Sequence, residues 1–301
     1  MKLSTPMLQA AATALALLAG ACGDSSDGNP AGSASASDEP SLKLEVYTSN
    51  DYGYATTSTI VYGAVDAVLI DPQFLASDAR KVAEMIRASG KNLTTVYTTH
   101  AHPDHFLGVA VIKQEFPNAR YVALPEVAKR IETAWPARRN FWFPTYGDEL
   151  PSAEPILPEA LSSPQLTLEG ETMEITGEVM GDGPGNSFVW IPSLRAVVAG
   201  DVVFYERHLG VPADPAPWFA TLDRIDALEP EILVAGHKGP NTPDDPRATQ
   251  WMRDYIADFN AFKADSASAA QLKEKMLAKY PTVAMPGRLD QAVEAAFAPA
   301  K

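Results

Sequence analysis

The chain is short of sulfur, of imidazole and of positive charge. Its single cysteine, Cys22, excludes an intrachain disulfide. With 24 Lys and Arg against 38 Asp and Glu, its formal net charge is -14. Such a surface repels nucleic-acid phosphate, so DNA and RNA are set aside as partners. No G-x-S-x-G motif occurs, and Cys22 lies outside the region that folds, so no serine or cysteine nucleophile is expected. The apolar run Met7–Ala21 is about 15 residues, too short to span a bilayer comfortably. There are only 5 histidines, yet three of them fall within six positions of the stretch TTHAHPDHFLG, residues 98–108.

The termini of that apolar run suggest its role. Lys2 precedes it, and Ala19-Gly20-Ala21 ends it in the small-x-small pattern read by signal peptidase. Residues 1–21 are therefore expected to be a signal peptide. Cys22 follows at once, as in bacterial lipoproteins, although Leu18 sits four residues before it rather than three. Lipidation of Cys22 and plain secretion both place the mature protein outside the cytoplasm, in the periplasm or held on the membrane. Residues 22–41, rich in Gly, Ser, Ala, Asp and Pro, cannot bury a core and are expected to be a flexible tether. No second linker follows Ser41, so residues 42–301 are expected to form one domain.

Within it, residues 42–49 and 56–63 alternate apolar and polar, as half-buried strands do. Residues 67–72 read as a buried strand, Ser77–Ala88 as a helix stopped by Gly90, and residues 93–99 as a strand running into the histidine loop. A helix over Phe106–Phe116 and a strand over 119–124 complete a layered α/β pattern. Later strands are expected near 165–169, 172–178, 186–191, 195–199 and 231–235, with helices near 244–263, 268–279 and 288–298. Trp135–Pro158, with five aromatics among its prolines, reads as a long loop, either pinned by those rings or forming the wall of a pocket.

The histidine loop carries the chemistry. His100 and His102, two apart, can face one ion, while Asp104 and His105, further along, can serve a second. Imidazole and carboxylate suit zinc and other first-row divalent metals. The H-x-H-x-D-H spacing resembles the metallo-β-lactamase superfamily over roughly residues 44–240. That resemblance implies a four-layer αββα sandwich and two divalent ions, zinc first, with iron or manganese as alternatives. It implies that Asp201 in the Gly-Asp pair bridges the metals, and that His237 in the Gly-His pair joins Asp104 and His105.

One position departs from the family pattern: GDGPGNS places Asp182 where a histidine is usual. Asp182 is then a carboxylate ligand beside His100 and His102, or His208 supplies the missing imidazole, or the first site is degraded. With Asp182 as ligand, three aspartates and one hydroxide balance the charge of two divalent ions, leaving a site less attractive to anions. The function implied is metal-dependent hydrolysis of an ester, lactone or amide bond in a small, neutral or apolar substrate. Asp104 would orient water, and His208 would either contact substrate or be an ordinary core histidine. β-Lactam hydrolysis, with Lys238 as a carboxylate anchor, is the first alternative. Iron redox chemistry on the same fold is the alternative from another class.

Overall fold

The computed structural model describes residues 42–298, save residue 153. The expected signal peptide, the tether and Cys22 lie outside the described residues. The chain opens with β1 (Lys43–Thr48), β2 (Thr57–Tyr62), β3 (Asp66–Ile70), α1 (Ala76–Ser89) and β4 (Asn92–Tyr97). It then passes through the short α2 (Pro103–Phe106) and α3 (Val109–Glu115) to β5 (Arg120–Ala123), α4 (Pro125–Tyr146) and β6 (Glu159–Ala160). The second half supplies β7 (Gln165–Leu168), β8 (Glu171–Met180), β9 (Pro184–Ile191), β10 (Ala196–Val198), β11 (Phe204–Tyr205), α5 (Ala216–Asp226), β12 (Ile232–Val234) and β13 (His237–Lys238). Three helices close the described chain: α6 (Ala248–Ala264), α7 (Ala269–Lys279) and α8 (Pro286–Phe297).

Two mixed sheets stack with helices outside both, the αββα sandwich. One sheet has the order β1-β2-β3-β4-β5-β6, and the other β12-β10-β9-β8-β7. Strand residues alternate between two apolar clusters. Val189, Val198 and Val234 face the cluster shared with the first sheet. Their neighbours Phe188, Val197 and Leu233 face the cluster built by α5 to α8. Burial on both faces is why these strands read as nearly continuous apolar runs. The side chains of α1 such as Val82 and Ile86, and those of α4 such as Val127 and Ile131, join the first cluster.

Three parts of the structure differ from the sequence reading. The expected helix over Phe106–Phe116 is broken into α2 and α3 at Gly108. There the chain passes so close to Pro72 that a Cβ on Gly108 would overlap the Pro72 carbonyl oxygen. The second difference is larger. The first half of the expected loop Trp135–Pro158 is the C-terminal half of α4, which begins with Pro125 at its first position and continues through Pro136 and Pro144. An interior proline costs a helix about 3 kcal/mol. Here the apolar stripe Val127, Ile131 and Trp135 is buried, and Trp142, Phe143 and Tyr146 pack against the main core. Burial of rings this large is worth more than the lost backbone bonds. In addition, α5 follows a run of prolines that hid it; its face of Trp218, Leu222 and Ile225 is fully covered.

The two sheets are stitched together near their strand ends. Thr57 N–H donates to the Gly236 carbonyl at 2.9 Å and Lys238 N–H to Ala55 at 3.2 Å. Gly236 N–H donates to Gly200 at 3.0 Å, and a Cβ on Gly236 would overlap the Gly200 backbone. This close approach sets Asp201 beside His237. Gly236→Ala is expected to destabilise the protein by about 2 kcal/mol or more, as overpacking against backbone does, and to lower its metal content. Chemical denaturation and metal analysis check this; a variant with unchanged midpoint and metal loading would remove the close-approach argument.

Candidate metal centre

The histidine loop leaves β4 and is fixed by a residue from the neighbouring strand. Asp71, just beyond β3, accepts from Thr99 N–H and Thr99 Oγ1, both at 2.8 Å. Its Oδ2 also takes the Nδ1 proton of His105 at 2.8 Å. The bond fixes the His105 tautomer and turns Nε2 away from Asp71. His237 is held in the same way: its Nδ1 donates to the Tyr54 carbonyl at 2.8 Å. Both Nε2 atoms are thus presented to one point, 3.1 Å apart.

Seven predicted ligands come together in two groups. His100, His102, Asp182 and Asp201 form one, and Asp104, His105 and His237 the other, each with its ligand atoms within 4.8 Å of one another. Asp201 lies between the groups. Its Oδ2 is 3.3 Å from His100 Nε2 and 3.2 Å from His102 Nδ1, while its Oδ1 is 3.0 Å from both His105 Nε2 and His237 Nε2. Asp182 reaches His102 Nδ1 at 3.4 Å from the more exposed rim. Asp104 Oδ2 lies 3.4 Å from His237 Nε2 and accepts a proton from Thr56 Oγ1 at 3.3 Å.

These donors fit cations. His100 Nε2 and Asp201 Oδ1 are buried with no hydrogen-bond partner. Two imidazole nitrogens 3.1 Å apart with both Nδ1 protons committed elsewhere bring two lone pairs together. Such an arrangement is unfavourable unless a proton or a metal ion lies between them. Without metal, protons fill that role. Burial pulls His105 down, but Asp201, Asp71 and Asp104 outweigh it and hold the imidazole well above its usual range. His102 rises too, against burial, through its bond to Asp201 and the charge of Asp182. Asp104, against burial, is brought to about 2 by the neighbouring His105. Asp201 is held well below the carboxylate range by the imidazoles around it, again against burial.

Two expectations are corrected. His208 does not reach the metal groups: it is fully buried, its Nδ1 is 2.8 Å from the Tyr255 hydroxyl, and it packs against α6. Burial lowers its pKa to about 4, so it is a neutral core histidine. The turn after Asp201 sends the preceding residue, Arg207, toward the cavity instead. Lys238 is not exposed; it is buried and its Nζ is bound to Asp244 at 2.6 Å. Sequence reading missed Asp71, Thr56 and Arg207. Asp71-Pro72 closes a buried strand and looks like a turn. Only the parallel pairing of β3 with β4 reveals its second use.

Comparison with known proteins follows this geometry. The family model described as the metallo-beta-lactamase superfamily matches residues 51–237. No curated protein matches the chain by sequence. A metallo-beta-lactamase family protein from Thermus thermophilus is similar in structure, at 20% identity and a TM-score of 0.59, over 86% of this chain and 92% of that one. A beta-lactamase domain protein from Burkholderia ambifaria is similar at 17% identity and 0.59, over 86% and 84%. An inverting sec-alkylsulfatase from Pseudomonas sp. is similar at 16% identity and 0.54, over 80% of this chain and 47% of that one. At these identities the likeness is one of fold.

Two outcomes are expected. Asp71→Asn removes the charge and exchanges one of the two acceptor oxygens that hold Thr99 and His105 for an NH2 donor, and should weaken metal binding at that group by about 10- to 100-fold while leaving the other group less affected. Competition with a chromophoric chelator measures it, and equal affinities for both proteins would exclude the orienting role. Metal binding should also strengthen as pH rises. His102 and His105 keep their protons to higher pH than ordinary imidazoles. A binding cation must displace those protons, so apparent affinity should rise by about tenfold per pH unit for each proton released. Calorimetry in buffers of different ionisation enthalpy, at about pH 6 to 8, reads that release directly, and a pH-independent affinity would contradict it.

Proposed function

The chain belongs to the metallo-beta-lactamase superfamily, and from that premise we propose that it is a hydrolase using two divalent ions, zinc before iron or manganese, to open an ester, lactone or amide bond of a small molecule. The observation that carries the reading is Asp201, whose two carboxylate oxygens each face a separate set of ligands. These sets open onto a cavity of about 530 Å³, a size suited to a small molecule. When bound, the ions supply a water made nucleophilic at neutral pH and an electrophile for the scissile carbonyl.

The chain's own residues do the rest. Asp104 lines the cavity and is oriented by Thr56. At about 2, its carboxylate is ionised throughout the neutral range and a weak base. It therefore serves to orient the attacking water by accepting its proton in a hydrogen bond, more than to remove that proton outright. Tyr54, Phe74 and Trp142 meet edge to face, with centroids 5.4 to 5.8 Å apart, and form an apolar wall. That wall excludes water and receives an apolar part of the substrate.

The expected neutral or apolar substrate drew on the aromatic stretch as well as on a formally neutral metal site. The aromatic wall supports the apolar part, while the same cavity is also lined by Arg138, Arg207 and Arg288, which favour an anionic group. β-Lactam hydrolysis stays as the second reading on that ground, since such substrates carry a carboxylate; Lys238, bound to Asp244, cannot be its anchor. Metal-loaded protein is expected to turn over a chromogenic lactone or aryl ester, to lose that activity to a chelator and to regain it with zinc. Asp104→Asn should lower kcat by about 100-fold or more. Full metal loading with no turnover across lactones, aryl esters and cephalosporins would refute the hydrolase reading, and bound iron with redox activity would favour the other class.

A further inference from the structure

The cavity is asymmetric in charge, and among the described residues the basic part of its wall has no carboxylate partner, Arg207 resting instead over the Phe204 ring with Cζ 5.3 Å from its centroid. Arg207 is 3% exposed, lines the cavity and leaves its Nε without a hydrogen-bond partner. Arg288 lines the same cavity from α8, its Nη1 donating to Gln291 Oε1 at 2.7 Å. Among the described residues, no carboxylate forms an ion pair with Arg207, Arg288 or Arg138. Arg253, by contrast, is paired with both Asp223 and Asp226, at 2.6 and 2.8 Å.

A guanidinium this buried costs several kcal/mol in lost hydration unless an anion meets it. Asp201, Asp104 and Asp182 act on Arg207 only through space, none of them forming an ion pair with it. Divalent ions held by those carboxylates would take up their charge and leave Arg207 without a charge partner. Its position is also built in. Arg207 pairs with Ala284, His208 N–H donates to the Ala284 carbonyl at 2.9 Å, and Ala284 N–H donates to Glu206 at 3.0 Å. These bonds fix the Arg207 segment to the chain just before α8, so both arginines face the cavity as one rigid wall. Helix α8 lies beyond residues 51–237, the span shared with the family.

We propose that Arg207 and Arg288 form a subsite for an anionic oxygen group of the substrate, a carboxylate or a sulfate, opposite in character to the Tyr54, Phe74 and Trp142 wall. The substrate class is then an amphiphilic anion with its scissile bond over the metal centre. This deepens the hydrolase reading and rests on it.

The test uses metal-loaded protein and a matched pair of substrates: the mono-4-nitrophenyl ester of glutaric acid and its neutral methyl ester. The anionic member is expected to have a kcat/KM about tenfold higher or more. Arg207→Leu and Arg288→Leu should each bring that ratio toward one, with Arg207→Lys restoring part of it. An unchanged ratio in both leucine variants overturns the subsite. Calorimetry with glutarate and with inorganic sulfate separates this from failure of the hydrolase reading, because it needs no turnover. Binding weakened about tenfold in either leucine variant supports the subsite, and the tighter of the two probes identifies the anion. Affinity equal to that of the unaltered protein means the metals alone hold the anion, and removes the proposal. Because Arg207 is buried, Arg288→Leu decides the matter if Arg207→Leu does not fold.

Discussion

Everything at the site depends on one carboxylate sitting between two sets of imidazoles. Asp201 is buried, and its oxygens are shared between the groups on either side. A carboxylate cannot be placed there by its own strand alone. It needs Gly200, in the left-handed region at φ 51°, to turn the chain, and Gly236 to let the next strand end come against that turn. The backbone contact between these two glycines brings Asp201 and His237, distant in sequence, side by side. It explains physically why each of these ligands follows a glycine: Gly200 takes a left-handed turn and leaves room for Thr99, and a Cβ on Gly236 would overlap the Gly200 backbone and push the two ligands apart.

The charges of the site act on one another. Carboxylates raise His102 and His105 and imidazoles lower Asp104 and Asp201, while burial and Arg207 bring His237 down to about 4 and burial and Asp201 raise Asp182. Placing so many titratable groups in one buried cluster is costly in a fold whose only purpose is to be stable. Asp71 and Thr56 add to that cost by fixing orientation rather than by covering apolar surface. A cluster of this kind is retained for what it binds.

Much of this was legible in the sequence because metal ligands must recur at short, strict spacings. His100, His102, Asp104 and His105 announce themselves within one loop, and the glycines before Asp201 and His237 mark strand ends. Asp182 was legible only through the flanking Gly181 and Gly185, which keep its place. Asp71 was not, since one aspartate closing a strand carries no periodic signal and gains meaning from its neighbour in the sheet. Helix α4 was hidden by Pro136 and Pro144, where tertiary packing of aromatic rings outweighs local propensity. His208 went astray for the opposite reason. Its distance from Asp201 along the chain was legible, but the direction of a side chain leaving a short strand was not, and one residue's difference gave the cavity an arginine in place of a histidine.

That one-residue difference matters more than the net charge does. A formal charge of -14 spread over the surface acts through solvent, where fields fade within about 8 Å at physiological salt. Arg207 and Arg288 act at contact, inside a cavity that excludes much of that solvent. The global charge therefore bears on which molecules approach. Which small molecule stays would, on the proposed reading, be decided by the few groups that line the wall. Aromatic rings come from α4, the turn before β2 and the turn before α1, ligands from the strand ends, and guanidinium from the segment after β11 and from α8. The shared scaffold carries the His and Asp cluster, while the elements least readable from the family pattern carry the groups to which the proposal assigns selectivity.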